Sequence, residues 1–498
     1  MKHFTAFLLL ISLFTINSFA DDRSNARNMG MSSSGMVSSF GIDAYGINPA
    51  NFYSNKKLLF DISQFTSASQ LKIKEKKTEK PYWSVSLLSV GGGYGCDSNI
   101  EFYQKYINYL AINRETFAKL FTDIDAVLRF RDSILPNERT DVNYDLELKW
   151  LSVNLTFPHF GALNFTISDK VGLNTDAYSR DEYMPLTFNV AIHNSNFYDI
   201  TNVEMHQAEA VAWWIRKYNI GFSKVFQFKK GLIKNLSIGL SGGLVHGFGN
   251  LITYKSDLYI NTYGISRNNN ISHVDSVKGI QNFNAKSAIT DFFTNYKDGA
   301  KSHFTFFPKP AGKGYSFDFG INIQFSDKLS IAASITELGR IKWDYNSFIS
   351  YDNEEFYYKD FNVRTEDSTY NKLVNNLNGT ETRDTKTPYY TEMPLKFRAG
   401  ISYQPSDKLL FEFNWVKGNN NLPSNTTRHI ISLGTEYIPA NVIPLRAGIS
   451  YGGPEEFRFS LGAGLRFRTF SIDVAASGIN QIIRNNRIAF SVSSRLMF

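Results

Sequence analysis

Apolar and polar residues alternate along most of the chain. In residues 315–325, Tyr, Phe and Ile occupy every second position, and Ser, Asp, Gly, Asn and Gln fill the positions between them. Residues 395–403 and 457–467 repeat the pattern. A period of two is typical of a β-strand with one apolar and one polar face. At about 10 to 12 residues, such segments exceed most strands of soluble sheets and match a tilted membrane span.

The same pattern predicts a series of strands whose connections are alternately short and long. We place them at 57–66, 146–157, 160–169, 212–227, 233–254, 313–325, 328–348, 393–403, 408–416, 428–438, 442–451, 455–468, 469–478 and 487–498. Short turns on one side and long loops on the other are typical of outer-membrane barrels. The sequence therefore predicts an all-β fold, a transmembrane antiparallel β-barrel of about fourteen strands over residues 57–498.

A large secreted β-sandwich or propeller is the alternative fold. The length of the strands and the lack of a blade repeat argue against it. Tryptophans near strand ends that face long loops argue against it as well, because we interpret them as an interfacial belt. These are Trp213, Trp214, Trp343 and Trp415.

The two ends of the chain indicate export to a bacterial outer membrane. Lys2 and His3 precede an apolar stretch over 4–16, and Ser18 and Ala20 fit a signal peptidase site, so we predict a signal peptide at 1–20, cleaved after Ala20. At the other end, alternate positions form one apolar face that we interpret as an insertion signal for the barrel assembly machinery. Its residues are Phe490, Val492, Leu496 and Phe498.

Composition removes other classes of protein. The mean hydropathy of −0.26 and the lack of a long apolar run after residue 20 exclude a bundle of membrane helices. With 42 Phe and 27 Tyr the chain is not disordered. A net charge of +7 without an Arg-rich run gives no reason to expect nucleic acid. The expected surroundings are outer-membrane lipid.

Small residues are concentrated at 21–56, ahead of the first predicted strand, and suit a plug inside the barrel lumen. The run 41–50 ends in Asn48-Pro49-Ala50. This run resembles the N-terminal hatch of the long-chain fatty acid transporter family. It also resembles the related shuttle barrel of type IX secretion and several uncharacterised barrel families.

The resemblance implies a hatch folded into the periplasmic end of the lumen, with Asn48 and Pro49 shaping a fixed turn. The hatch residues that it implies are Gly41, Asp43, Ala44, Asn48, Pro49 and Ala50. Transporters of that family take hydrophobic ligands from outer loops, pass them to a lumen pocket and release them sideways through a gap in the wall. The expected function is therefore a porin-like transporter or channel for hydrophobic small molecules such as fatty acids. The alternatives are a secretion-associated barrel that binds a secreted protein partner, and a structural outer-membrane protein.

A long insertion is predicted at 66–145, with an amphipathic helix at 100–131. The helix either packs on or inside the barrel mouth, or offers a capture surface for hydrophobic ligands. The glycine-rich run 91–95, just ahead of it, lacks the ending of a phosphate loop and is interpreted as a flexible joint.

Charged residues recur on the polar faces of the predicted strands. A charge facing lipid costs about 2–4 kcal/mol at the midplane, so these side chains are expected to point into the lumen. They form either ion pairs that brace the lumen and its plug, or a basic path for a fatty carboxylate or another anion. They are Lys396, Arg398, Arg446, Arg458, Arg466, Asp318, Glu412 and Asp473.

Candidate catalytic motifs are weak. Two Gly-x-Ser-x-Gly runs centre on Ser241 and Ser450, but both lie within alternating strands, whereas a nucleophile elbow requires a turn from strand to helix. No His or carboxylate cluster has the spacing of metal ligands. We expect no enzyme, no cofactor and no metal.

Overall fold

The structure is a computed structural model of the whole chain. It describes residues 23–53, 81–96, 140–158, 160–177, 202–205, 210–268, 271–290, 307–362, 367–377, 387–440, 442–453, 457–467, 469–481 and 488–498. The signal peptide predicted at 1–20 and the helix predicted at 100–131 lie outside these residues.

Fourteen strands form a closed antiparallel ring, as the alternation predicts. Each strand pairs with the next along the ring, and the last pairs with the first, Ser84 opposite Met497. The ring comprises β1 (Tyr82–Cys96), β2 (Thr140–Phe157), β3 (Gly161–Ala177), β5 (Ala210–Gln227), β6 (Asn235–Asn268), β8 (Gly312–Gln324), β9 (Leu329–Trp343), β12 (Lys396–Ser406), β13 (Leu409–Gly418), β14 (Ile430–Ala440), β15 (Ile443–Gly452), β16 (Phe457–Arg466), β17 (Phe470–Ser477) and β18 (Ile488–Met497).

Four further strands lie at the end of the barrel that carries the long loops. They are β4 (Asn202–Met205), β7 (Ile271–Ile289), β10 (Ser347–Asn362) and β11 (Tyr389–Glu392). The wall continues upward beyond the level where β6 stops pairing with β8. There β4 and β7 pair with β6, and β10 pairs with β7, which gives a four-stranded sheet. We call this the long-loop end, and the opposite end the short-turn end.

The helices within the described residues are short. Two are α-helical, α1 (Ala26–Gly30) and α2 (Ser368–Leu377), and three are 3-10 turns, Gly41–Ala44, Pro49–Phe52 and Ile479–Gln481. α2 packs on β10 at the long-loop end, whereas α1 and the first two 3-10 turns belong to the N-terminal segment. Among the described residues no helix is long and apolar enough to cross a membrane.

The first barrel strand is not where the sequence predicted it. β1 begins at Tyr82, inside the range 66–145 predicted as an insertion, and the strand predicted at 57–66 lies outside the described residues. Gly91, Gly92 and Gly93 pair with both β18 and β2, and Gly95 pairs with β2, so the flexible-joint interpretation is wrong. The alternation of apolar and polar residues is broken in β1, because Leu87 and Leu88 both face outward. They lie at a bulge, where Leu88 has a φ of +58°.

The outer face of the ring is an apolar belt. Large apolar side chains are exposed at alternate positions, including Ile220, Leu240, Leu244, Phe317, Phe319, Leu338, Phe411, Phe413, Leu433 and Leu461. At the C-terminus, Phe490 and Val492 of β18 and the following Phe498 are exposed on the outer face, and Leu496 is half-buried. The ring of Phe498 stacks on Trp83 at 4.2 Å. This face is what a barrel wall in contact with lipid requires.

Two of the four tryptophans predicted in an interfacial belt point the other way. Trp213 and Trp343 are 2% and 0% exposed and belong to an apolar cluster inside the ring. Trp343 lies beyond the bulge at Glu337 of β9, where the buried positions change from the series 332, 334 and 336 to 341 and 343. Trp213 follows the unbroken alternation of β5, in which Ile215, Lys217 and Asn219 are also buried.

Candidate functional site

The N-terminal segment fills the short-turn half of the ring. Residues 23–53 are almost entirely buried and contact strands on all sides of the lumen. Arg23 pairs with Asp145 of β2, and at the other end of the segment Tyr53 donates to the carbonyl of Pro158 in a short turn. The segment therefore runs from the upper lumen down to the short-turn end, and we call it the hatch.

The Asn48-Pro49-Ala50 run forms a capped turn at the bottom of the hatch. The Asn48 side chain accepts a hydrogen bond from the backbone of Ala50 at 3.1 Å, and its Nδ2 donates to the carbonyl of Ile321 in β8 at 3.2 Å. Pro49 begins the 3-10 turn, where its missing N–H costs nothing. Asn48 thus connects the turn to the wall.

Wall glycines let the hatch backbone approach closely. A Cβ at Gly91 would lie 1.6 Å from the carbonyl oxygen of Arg23, and one at Gly320 would lie 1.9 Å from Oδ1 of Asn48. Any larger residue at either position would displace the hatch. These contacts give the glycines of β1 and β8 a packing role that the sequence pattern did not indicate.

The other hatch residues predicted from the resemblance are also buried. Gly41, Asp43 and Ala44 form the first 3-10 turn, and Asp43 pairs with Arg495 of β18. The Tyr45 ring lies beside the ammonium groups of Lys149 and Lys217, and its hydroxyl lies 2.9 Å from Oγ of Ser168. Burial raises the pKa of Tyr45, so the hydroxyl stays neutral.

One buried ion network holds the hatch to the wall on the side of β14–β17. Glu436 forms ion pairs with three arginines: Arg27 of the hatch at 3.2 Å, Arg446 at 2.6 Å and Arg466 at 3.1 Å. Arg446 also reaches Asp473 at 2.7 Å. Three of the predicted lumen charges thus belong to a single network that includes a hatch residue.

A second network lies at the bulge in β9. Glu337, with a φ of +62°, points into the lumen, where Lys170 contacts it at 2.7 Å and Lys217 at 3.6 Å. Asp318 on β8 accepts from the Glu337 backbone at 2.7 Å and from Ser241 at 2.5 Å. The bulge is therefore fixed from the lumen side by charge.

The four remaining predicted charges are also buried on the inner face: Lys396, Arg398, Glu412 and Arg458. Glu412 accepts from the backbone of Val37 in the hatch at 2.5 Å, and Arg458 donates to Ser450 at 3.0 Å. The bracing interpretation accounts for the geometry of these contacts. The predicted basic path would need charges that face open space.

Above the hatch, the inner face becomes apolar. A buried cluster at the long-loop end contains Trp213, Ile215, Val245, Ala288, Ala311, Ile341, Trp343, Tyr389 and Met393. Two of its polar side chains have hydrogen-bond partners beside the cluster: Trp343 donates to Thr391 at 2.8 Å, and Tyr389 donates to Asn250 at 2.9 Å. We call it the mouth cluster.

A loop crosses the ring above the mouth cluster. Residues 419–427, between β13 and β14, reach β3 on the opposite side, where Asn174 donates to the carbonyl of Asn421 at 2.8 Å. Leu422 packs on the mouth cluster, and Ser424 donates to Asp145 at 2.9 Å. Asp145 is also the partner of Arg23, so this lid touches the start of the hatch.

Beneath the lid, the ladder between β9 and its neighbour is interrupted after Met393, which still donates to the carbonyl of Gly339 in β9 at 3.0 Å. Met393, Pro394 and Leu395 separate β11 from β12, and Leu395 donates back to the carbonyl of Met393 at 2.8 Å. Asn420 donates to the carbonyl of Met393 at 3.1 Å, and Asn425 donates to that of Leu395 at 3.2 Å. The lid therefore binds the main chain at the wall break.

A cavity of about 420 Å³ opens on the outer side of this break. It is lined by Tyr315, Phe317, Leu338, Gly339, Arg340, Glu392, Met393, Leu395 and Asn419. Tyr315, Phe317 and Leu338 belong to the outward apolar belt, whereas Met393 is buried in the mouth cluster. Met393 is thus shared by the inner cluster and the outer cavity.

The serine motifs take no catalytic geometry. Ser241 lies inside β6 and donates to Asp318, and Ser450 lies inside β15 and accepts from Arg458. Both are on strands rather than at a turn from strand to helix. Within the described residues no group of three or more His, Cys, Asp or Glu is placed to hold a metal ion.

The fold and the site define the class of protein: an outer-membrane β-barrel whose lumen holds an N-terminal hatch. Within that class, the chain belongs to the family described as a family of unknown function (DUF5723), whose model matches residues 78–476. No curated protein matches the sequence.

Solved structures of similar form include hydrocarbon transporters. The toluene transporter TbuX of Ralstonia pickettii is 11% identical with a TM-score of 0.45, covering 97% of this chain and 100% of that one. A Pseudomonas aeruginosa FadL homologue is 11% identical with a TM-score of 0.43, covering 96% and 99%. The toluene transporter TodX of P. putida is 10% identical with a TM-score of 0.38, covering 96% and 98%. At this level of similarity the likeness carries no inference about what this chain binds.

Proposed function

We propose that this protein admits hydrophobic small molecules into the outer membrane through the mouth cluster and the wall break. The observation that carries the proposal is the position of Met393, which belongs to the apolar cluster inside the ring and to the cavity outside it. A hydrophobic molecule that displaces this side chain passes from one apolar surface to the other without crossing the charged hatch region.

The direction of the route follows from the contents of the lumen. Below the mouth cluster lie buried ion networks and the hatch, where an apolar solute would leave charged groups without partners. The outward side of the wall break is lined by exposed apolar side chains instead. Sideways release into lipid is therefore the less costly path, and the long-loop end faces the cell exterior.

The lid is the element that has to move. Its contacts with Met393 and Leu395 are neutral hydrogen bonds, each worth about 1 kcal/mol. Its contact with β3, from Asn174 to Asn421, is of the same kind. The bond from Ser424 to the Asp145 carboxylate is stronger, at about 1.5–3 kcal/mol. Binding of a hydrophobic molecule against Leu422 and the mouth cluster can offset the loss of a few such bonds.

The test is uptake of the uncharged fluorescent hydrophobe N-phenyl-1-naphthylamine by proteoliposomes. In a Cys96→Ser background, the pair Asn174→Cys and Asn421→Cys ties the lid to β3. We expect oxidation of this pair to lower uptake about tenfold and reduction to restore it. The matched control pair, Lys234→Cys and Asp327→Cys, ties an exposed contact at the short-turn end and should leave uptake unchanged. Uptake that is equal in the oxidised and reduced lid pair would contradict the proposal.

A further inference from the structure

A row of basic side chains crosses the outer face just above the apolar belt. Lys313 of β8 and Lys342 of β9 are direct cross-strand partners, and His246 of β6 flanks Lys313 on the other side. Both lysines are exposed, and Lys342 keeps 47% of its side-chain surface. Arg340 lies one outward position below Lys342.

The row carries more positive than negative charge. Asp344 lies 3.4 Å from Lys342, and Glu392 is the register partner of Arg340. Lys313 has no carboxylate partner among the residues that the structure describes. Like charges placed directly opposite each other in a ladder destabilise it, so the Lys313–Lys342 pair is suited to a shared anion.

The surface directly below the row is apolar and concave. Tyr315 and Phe317 on β8 follow Lys313 at successive outward positions, and Leu338 on β9 follows Arg340. These three side chains and Arg340 line the 420 Å³ cavity. Successive outward positions on a strand lie about 6–7 Å apart. The distance between the cations and the apolar cavity therefore fits the distance between the headgroup and the acyl chain of one amphiphile.

We propose that this face binds a phosphorylated glycolipid of the outer leaflet, with the phosphate between Lys313, Lys342 and Arg340 and an acyl chain in the cavity. The occupant is a lipid because the cations sit at the upper edge of the belt that faces lipid. A phosphate offers several acceptors to such donors. The proposal goes beyond the transport route, although it uses the same outer cavity and rests on the outward orientation of the long-loop end proposed above.

The test is native mass spectrometry of the full-length barrel titrated with purified lipid A in non-ionic detergent. The double variant Lys313→Gln/Lys342→Gln is compared with the matched control Lys328→Gln/Lys408→Gln, which removes two exposed lysines at the short-turn end. We expect lipid A to bind the first variant about tenfold more weakly than the wild type, and the control as the wild type does. Dephosphorylated lipid A should bind weakly to the wild type and to both double variants. Its affinity should match that of lipid A for the Lys313→Gln/Lys342→Gln variant.

Equal binding of lipid A to both double variants would overturn the proposal, and so would equal binding of phosphorylated and dephosphorylated lipid. A thermal stabilisation of the barrel by inorganic phosphate as large as that by lipid A would also overturn it, because the ligand would then be a free anion. The two proposals fail separately. Loss of lipid binding is measured by native mass spectrometry. Uptake of N-phenyl-1-naphthylamine depends instead on the lid and on Met393.

Discussion

The two halves of the lumen are sealed by different physical means. At the short-turn half, the hatch is held by buried ion pairs and by contacts against wall glycines. At the long-loop half, an apolar cluster lies under a lid that is fixed mainly by neutral hydrogen bonds, together with one bond from Ser424 to the Asp145 carboxylate. Breaking a buried ion pair by removing one partner costs about 3–5 kcal/mol, whereas a neutral hydrogen bond is worth about 1 kcal/mol.

The difference indicates which seal opens. An apolar molecule gains by contact with the mouth cluster and gains nothing in the charged half. The seal at the long-loop end is therefore the moving one, and the hatch is a fixed floor below it. The predictions below test this contrast between a fixed and a movable seal.

The largest expected effect is on the fixed seal. Glu436→Gln leaves Arg27, Arg446 and Arg466 with only a neutral partner at their shared site. We expect a loss of about 3–5 kcal/mol in the free energy of unfolding, measured by urea titration of the refolded barrel. Asp327→Asn is the control, because it removes an exposed pair with Lys234 that is worth about 0–1 kcal/mol. Similar losses for both variants would mean that the network does not hold the hatch.

The second prediction moves the hatch without removing a charge. Gly320→Val introduces side-chain atoms where a Cβ alone would lie 1.9 Å from Asn48, so the bottom turn of the hatch must shift. We expect a loss of about 1–3 kcal/mol in stability and a rise in ion conductance across a planar bilayer.

The control for this variant is Gly242→Ala, where the added Cβ would lie 3.2 Å from the Phe317 ring and 3.9 Å from the carbonyl oxygen of Ser316, with no contact to the hatch among its nearest neighbours. Its conductance should stay at the wild-type level. A Gly320→Val barrel that conducts no more than Gly242→Ala would show that the hatch does not close the lumen.

The smallest expected effect is on the movable seal. Asn425→Ala removes the hydrogen bonds from Asn425 to Leu395 and to Asn420. A loss of about 1 kcal/mol in lid closure should raise N-phenyl-1-naphthylamine uptake about fivefold, with little change in the unfolding midpoint. Thr427→Ala, which removes a bond to Asn421 inside the same loop, should leave uptake unchanged. Equal uptake by both variants would argue against the lid as the moving element.

The sequence predicted the barrel and its strand number because period-two alternation survives wherever one face meets lipid. It failed at β1, where a bulge at Leu88 and a run of glycines break the pattern. The glycines that look like a joint are placed for the hatch: Gly91 has no Cβ because the backbone of Arg23 occupies that space. Such a contact joins residues far apart in sequence and leaves no local signal.

The candidate site was only partly predictable. Polar-face charges such as Arg446 and Asp318 could be placed inside the lumen, since lipid excludes them. Trp343 of the mouth cluster could not, because the bulge at Glu337 shifts the inward positions of β9 by one residue. In the sequence, the lid is one of the long connections between strands. Its asparagines donate to main-chain carbonyls of residues 393–395, and a contact with the main chain leaves no mark on the type of residue at those positions.

The most direct test of the movable seal is to locate a bound hydrophobe. Crystals of the full-length barrel soaked with bromobenzene would show the bromine by anomalous diffraction. We predict a bromine peak beside Met393, between Trp343 of the mouth cluster and Leu338 of the outer cavity. Peaks confined to the hatch region, or to the outer belt away from the wall break, would contradict a route through this point.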